Sequence, residues 1–407
     1  MTDTDTMFDI AVVGGGPVGA TLACALSDTG LSVALIEAVP FDAEPGPGMR
    51  ARTTAIAWGT RTLFEQMDLW RDMASAAAPI EHLHVSQRGH FGTVRVHAAE
   101  YAVPALGYVL PNLAMMEALR VRMADLSQVE VIAPARFVGL QQEAGHVVLD
   151  LARDNGNRRI RTRLLVGADG ARSSVREALG IRARSDDYGQ SAVVTSVQPE
   201  YPHEATAHER FTPDGPIALL PRDAQSCAVV WTLPTARAER VCNLDDAAFT
   251  DALQQAFGMR LGALQSAGSR GAFALHRVLA DSAVGPRAAL IGNAAHALHP
   301  AAAQGFNLSV RDVLLLAAML RERGGDPGDA DLLDTWAQAR RPDQHRVANF
   351  TDRIVRIFSN RVPGLGCARS AGLVGLSLLP GIRHDMARRS MGLGFDPARV
   401  TATGAWQ

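Results

Sequence analysis

Three clusters of residues in this chain have the types and spacing to hold one extended, phosphate-bearing ligand. The first is Gly14-x-Gly16-x-x-Gly19, which closes the run FDIAVVGGGPVGA and is followed by Glu37. Gly14 permits a tight turn, Gly16 lets the backbone approach a pyrophosphate, and Gly19 lets a helix lie close on a strand. The helix N-terminus that follows presents partial positive charge to phosphate oxygens. Glu37 ends the next strand, where a carboxylate can hold ribose hydroxyls. Its charge fits an unphosphorylated adenosine ribose, as in FAD or NAD, and the pattern does not separate the two.

The second cluster is Asp169-Gly170, after the strand LLVGA, with Ser173 and Arg176 behind it. An acid-glycine turn leading into a helix can face a ligand; an ordinary Asp-Gly turn is the plainer alternative. The third is ALIGNAAHALHPAAAQGFNLSVRDV, from Ala289 to Val313. Its strand delivers Asn293 to a C-terminal end, where open α/β sheets bind ligands. His299-Pro300 makes a rigid bend, and Gln304-Gly305-Phe306-Asn307 starts a helix whose N–H groups and dipole suit an acceptor. The N1/C2 carbonyl edge of an isoalloxazine ring is such an acceptor, and it gains negative charge on reduction. His296 and His299 are each expected to be packed or hydrogen-bonded side chains rather than an acid or a base. Taken together, the three clusters point to one flavin dinucleotide threaded through a single fold.

These residues need a βαβ unit to position them. Residues 8–13 read as a buried parallel strand, 17–29 as a helix and 32–36 as the second strand. Residues 40–50 read as a loop. Helices are expected at 59–73 and 112–126, and strands at 129–133, 147–151 and 164–168. Short β patterns (SAVVTSV, GPIALLP, SCAVVWTL) and a helix near 246–257 suggest an inserted sheet domain. A buried strand returns at 287, a long helix covers 306–321, and the tail from 330 to 395 reads as mostly helical. The expected division is an FAD-binding domain at 1–182 and 279–330, a β-sheet substrate domain at 183–278 and a helical C-terminal region at 331–407.

Composition sets bounds on the chemistry. A chain of 407 residues with 47% hydrophobic content can bury two closely packed domains. The net charge of −2 gives no electrostatic reason to expect nucleic acid. All 40 basic residues are arginine, which excludes Schiff-base chemistry and a Walker-type phosphate loop, both of which need lysine. Cys24, Cys227, Cys242 and Cys367 form no CxxC pair, so no metal site or disulfide framework is expected. The acidic N-terminus reads as neither a secretory signal nor a transit peptide, and no run reaches the about 18 apolar residues a span requires. The expected compartment is the cytoplasm.

The three clusters resemble those of the single-component aromatic flavoprotein monooxygenases, the para-hydroxybenzoate hydroxylase fold group. RTTAIAWGTRTLFEQMDLW from Arg52, AHERFTPDGPIALLP at 207–221 with Trp231, GNAAHALHP with QGFNLSVRD, and the tail RIVRIFSN…RRSMGLGF extend the resemblance to the ubiquinone-biosynthesis hydroxylases. Within these, the chain is most similar to the 2-polyprenyl-6-methoxyphenol hydroxylase (UbiH) type. The resemblance covers nearly the whole chain. It implies an α/β, FAD-binding Rossmann-like domain of the GR2 type with an inserted β-sheet substrate domain and a helical tail.

It also implies roles. Gly14, Gly16, Gly19 and Glu37 would bind the AMP half of FAD. Arg52 would contact FAD from the following loop, and Asp169 belongs to the DG motif. Asn293, Pro300, Gln304, Gly305, Phe306 and Asn307 would surround the ribityl chain and flavin. The implied activity is hydroxylation of an electron-rich phenol by O₂ through a flavin C4a-hydroperoxide, with NAD(P)H as electron donor. The implied substrate is a polyprenylphenol, or another phenol or ring position, with other ubiquinone-biosynthesis proteins as candidate partners. A non-catalytic flavin-binding subunit is the alternative from another class. Because the implied substrate is a membrane lipid, the weakly polar stretch 362–382, flanked by Arg361, Arg383, Arg388 and Arg389, is a candidate for docking on anionic lipid at the inner face of the plasma membrane or on a partner protein. An ordinary packed helix is the alternative. Two departures stand out. Gly292-Asn293 replaces the wider group's Gly-Asp, and Ala303 replaces a glycine of P-x-x-G-Q-G. If position 303 needs positive φ, alanine costs on the order of 1 kcal/mol and weakens the hold on FAD.

Overall fold

The computed structural model describes residues 4–41, 43–44, 47–266, 268–360 and 365–393. β1 (Thr4–Val13) buries Phe8, Ile10, Ala11, Val12 and Val13 on both faces, so it sits inside a covered parallel sheet. It pairs in parallel with β2 (Val33–Ile36) on one side and with Arg158–Gly167 on the other. The sheet order is Val284–Gly285, Ala288–Leu290, Arg158–Gly167, β1, β2, Val129–Ile132. The strands Arg136–Glu143 and His146–Ala152 join it in antiparallel fashion. One face packs on α1 (Pro17–Ala25), Asn112–Ala124 and Gln304–Arg323, with Leu22, Leu119 and Leu316 fully buried. The other face packs Phe8, Ala11 and Val13 against Phe137, Val147 and Leu149.

Nine strands form the second sheet among the described residues. Five of them (Ala183–Pro199, Thr206–Thr212, Gly215–Pro221, Cys227–Pro234 and Leu264–Ser266) fall within 183–278, and Gly271–Ala280 runs across its end. His82–Gln87 and Thr93–His97 join from upstream, through a parallel pairing of His82–Gln87 with Thr206–Thr212, and His296–Ala297 joins from downstream. Alternation along these strands divides the sheet. Ile217, Leu219, Val229 and Trp231 face the helix Asp246–Phe257 and pack on Phe249, Leu253 and Phe257. Ala207, Phe211, Ala218, Leu220 and Val230 point the other way, into the cavity described below.

Several sequence expectations change in detail. The helix expected over 59–73 is two helices, Trp58–Gln66 and Trp70–Ala74, because Asp68 adopts φ 57° and ends the first. The helix expected at 17–29 stops at Ala25. The loop at 40–50 includes a helical turn, Pro47–Arg50. Thr53–Ala57, Ala78–Ile80 and Gly107–Pro111 form a small sheet that the sequence patterns did not suggest. The tail is helical over Ala330–Phe358, Leu365–Leu378 and Pro380–Ser390; the last residues of RRSMGLGF and Arg361 lie outside the described residues.

Candidate active site

The glycine turn after β1 is built by contact. Gly14 sits at φ 109°, and a Cβ there would lie 2.4 Å from the Ala168 carbonyl oxygen. A Cβ on Gly19 would lie 1.9 Å from the Gly14 oxygen, which fixes how closely α1 crosses the turn. Gly16 differs: a Cβ there would meet nothing within 4 Å, so its backbone is open to the cavity. Gly16 is also the N-cap of α1 and provides no side-chain cap, so first-turn N–H groups remain available to a ligand. Glu37 accepts the Gly15 N–H at 2.7 Å and the Val39 N–H at 3.0 Å. Its carboxylate therefore fastens the turn to the end of β2 and also lines the cavity.

The Asp-Gly turn follows the strand next to β1. Asp169 accepts the Ser173 hydroxyl at 2.5 Å, the Ser174 hydroxyl at 3.0 Å and the Val175 N–H at 3.1 Å. Ser173 in turn caps the helix Ser174–Ala178 by accepting the Arg176 N–H. The Arg176 guanidinium donates to the Ala294 carbonyl at 2.8 Å and the Ala171 carbonyl at 2.9 Å. The second cluster is thereby bound to the third. Asp169 lines the cavity, but its carboxylate is occupied by its own helix.

The third cluster lines the cavity with Asn293, Pro300, Gln304, Gly305, Phe306 and Asn307. Ala302 and Ala303 both take left-handed conformations, φ 64° and 50°, and bring the chain into the helix Gln304–Arg323. Position 303 does need positive φ. That helix also begins without a side-chain cap and with no acidic residue in its first turn, so its positive end faces the cavity. Gly305 is open, as Gly16 is. Gln304 donates to the Ala302 and Ser390 carbonyls, and Phe306 meets Phe64 edge-on at 6.2 Å. Asn307 is buried: it accepts the Ala57 N–H at 2.8 Å and donates to the Ala55 and Ala303 carbonyls. Its carboxamide thus acts as one more strand residue beside Thr53–Ala57. Arg52, at the start of that strand, lines the cavity and lies over the Phe273 ring at 4.8 Å.

The two histidines separate. His296 is buried outside the cavity lining, with Nε2 2.5 Å from Asp312 Oδ2. Asp312 also accepts from Arg340 and Gln344, and Asp343 accepts from Arg311, Arg340 and Arg346. Burial pushes both carboxyls up, but the facing arginines pull them further down, so both lie below the ordinary aspartate range. This ion network under the helix was not singled out in the sequence reading; the SVRD run beside QGFN was its only signal. His299 lines the cavity. Its Nδ1 accepts the Ala301 N–H at 3.1 Å, so the neutral ring carries its proton on Nε2, which has no hydrogen-bond partner among the described residues. Burial lowers its pKa to about 4 and keeps it neutral.

All of these walls enclose one cavity of about 1400 Å³. It runs from Gly14 and Glu37, past residues 300–307, to the apolar face of the second sheet, under a roof made by the helices Leu365–Leu378 and Pro380–Ser390. Every sequence-predicted site residue except Gly19 lines it, and Gly19 shapes the turn beneath. Among the described residues no cluster of metal-ligating side chains occurs.

A phosphate-ready turn and an uncapped helix end on one parallel sheet, facing an apolar second sheet across a shared cavity, define the FAD-dependent aromatic hydroxylase class. The chain belongs to the FAD binding domain family, which matches residues 7–351, and within it to the ubiquinone-biosynthesis hydroxylases. It is 35% identical to the ubiquinone hydroxylase UbiL of Rhodospirillum rubrum over 97% of this chain and 93% of that one. It is 32% identical to 3-demethoxyubiquinol 3-hydroxylase of Escherichia coli over 96% of this chain and 100% of that one. The crystal structure of p-nitrophenol 4-monooxygenase PnpA from Pseudomonas putida shares the fold, with TM-score 0.78 and 18% identity over 95% of this chain and 98% of that one.

Proposed function

We propose that this enzyme hydroxylates the aromatic ring of a polyprenylphenol intermediate of ubiquinone biosynthesis, with O₂ as oxygen source and NAD(P)H as electron donor. The observation that carries this reading is the continuity of the cavity. One end is lined by open glycines and uncapped helix N-termini, the other by aliphatic side chains. Its volume of about 1400 Å³ exceeds the about 300–1,000 Å³ of a pocket for one small ligand, which leaves room for a ring and part of a prenyl chain beside a dinucleotide. The names of the two bacterial relatives, both hydroxylases of ubiquinone or its precursor, support the same substrate class.

The residues present fit FAD. Gly14, Gly16 and Gly19 would form the pyrophosphate turn, Glu37 would hold the ribose, and Arg52 would contact FAD from the start of Thr53–Ala57. Asn293, whose side chain is exposed to the cavity, Pro300, Gln304, Gly305 and Phe306 surround the flavin end. Asp169 and Asn307 contribute through the backbone they hold, since their side chains are already hydrogen-bonded. When bound, FAD supplies the transfer of electrons from nicotinamide to O₂ and delivers one oxygen to the ring. The positive end of the helix Gln304–Arg323 would stabilise negative charge on a bound flavin. The helical roof and the apolar sheet face exclude water from the reacting ring. The test is substrate-stimulated oxidation of NADH and NADPH by the FAD-loaded protein with a short-chain polyprenylphenol. A product one oxygen heavier supports the reading; oxidation unchanged by any phenol overturns it.

The roof also suggests how a lipid arrives. No single helix among the described residues is long and apolar enough to cross a membrane. The two roof helices meet at a 92° bend, and at that elbow Leu378, Leu379 and Ile382 are 73%, 52% and 55% exposed. Arg369, Ser370 and Leu373 on the inner side are buried, so the helix both packs and presents an apolar edge. We infer that this elbow enters the headgroup region of an anionic bilayer at the inner face of the plasma membrane, with Arg388 and Arg389 near the far end of the second helix. Co-sedimentation with vesicles containing anionic lipid should fall at least fivefold in L378D/L379D. Unchanged co-sedimentation overturns the docking.

A further inference from the structure

The apolar end of the cavity contains one side chain that its surroundings do not explain. Glu209 stands on Thr206–Thr212, between Ala207 and Phe211, and its neighbours across the sheet are Val85 and Ala218. All of these line the cavity. Its carboxylate makes no hydrogen bond and no ion pair with any described residue. The side chain is only part-buried by area, because that area opens into the cavity; protein encloses it otherwise. Placing a carboxyl in apolar surroundings without a partner is costly, and an aliphatic residue would continue the wall. Burial alone raises its pKa to about 7, with no charged neighbour contributing.

We propose that Glu209 is the polar anchor of the substrate site, its carboxylate accepting the hydrogen bond of the ring hydroxyl. This rests on the reading of the substrate as a phenol. One carboxylate among aliphatic walls can fix the orientation of a ring that otherwise offers only apolar surface. When ionised, the carboxylate accepts a stronger hydrogen bond than a neutral group would, and by pulling on the hydroxyl proton it raises electron density in the ring that is to be hydroxylated. The role is recognition and polarisation; no bond to Glu209 forms or breaks.

The experiment measures binding by the change in flavin absorbance of the FAD-loaded full-length protein, so it does not depend on turnover. The probes are a short-chain prenylphenol and its O-methyl ether, which lacks the donor. Wild type is expected to prefer the phenol at least tenfold. In Glu209→Gln the preference falls below threefold, and in Glu209→Leu it disappears while the ether binds at least as tightly as in wild type. That retained ether affinity shows that the site has kept its shape. A preference unchanged in both variants, or equal loss of both ligands in both variants, overturns the proposal. If wild type binds neither probe, the phenolic reading fails as well, and the two failures are distinct.

Discussion

At the scale of single residues, the departure at Ala303 has a structural meaning. Both Ala302 and Ala303 are held in the left-handed region, where a Cβ is unfavourable. Ala303→Gly is expected to raise stability to chemical denaturation by about 1 kcal/mol and to slow FAD loss on dilution, followed by flavin fluorescence. Unchanged stability would mean that the flanking contacts, not the dihedral, set the cost there. This position was legible from the motif alone, because only the replaced glycine hinted that positive φ was needed. Glu37, Asp169 and Asn307 were equally visible as residue types, but not their hydrogen bonds. Nothing in a linear pattern says that Asp169 caps its own helix or that Asn307 completes a strand edge some 250 residues away. Glu209 was hidden for a different reason: in the run AHERF it is the middle of three consecutive polar residues, and only the fold shows that its face of the strand holds the cavity.

At the scale of elements, the helix Gln304–Arg323 is fixed at both sides. Its Asn307 side chain pairs with Ala55 and Ala57, and its Asp312 faces Arg340 from Ala330–Phe358. Asn307→Ala leaves the buried Ala57 N–H without an acceptor and should cost about 2 kcal/mol in denaturant unfolding, together with weaker FAD retention. Arg340→Met removes a guanidinium shared by two buried aspartates. Its cost should be about 3 kcal/mol, the low end for a broken buried pair, because His296 and Gln344 still face Asp312 and Arg311 and Arg346 still face Asp343. The long elements, β1, α1 and the helix after Gln304, were readable because each carries a strong period or a glycine signature. The short strands Thr53–Ala57, His82–Gln87 and Thr93–His97 were not, since runs of five or six residues take their strand character from partners remote in the chain.

At the scale of the whole molecule, buried histidines govern the response to acid. Burial lowers His84, His208 and His299 to about 4, well below the roughly 6.5 of a free imidazole, with nearby arginines adding to the shift of His84. Between those values the unfolded chain binds more protons than the folded one, so stability must fall as pH drops from 6.5 toward 4. Each ring contributes a loss on the order of 1 kcal/mol at pH 5, and Asp312 and Asp343 add a further loss only below their ordinary range near 3.8. Urea unfolding at pH 5 and 7 checks the sign; equal stability at the two values would contradict it. Under the proposed function, a lipid-borne ring would pass from the exposed elbow to the apolar sheet and on to the flavin end. The central claim is tested most directly in a strain from which every ubiquinone-precursor hydroxylase gene, including this one, has been deleted, by mass spectrometry of quinone lipids with and without this gene restored. The account predicts that restoration converts an accumulated polyprenylphenol into a species one oxygen heavier. An unchanged precursor profile, with the FAD-loaded protein present in the cells, would contradict it.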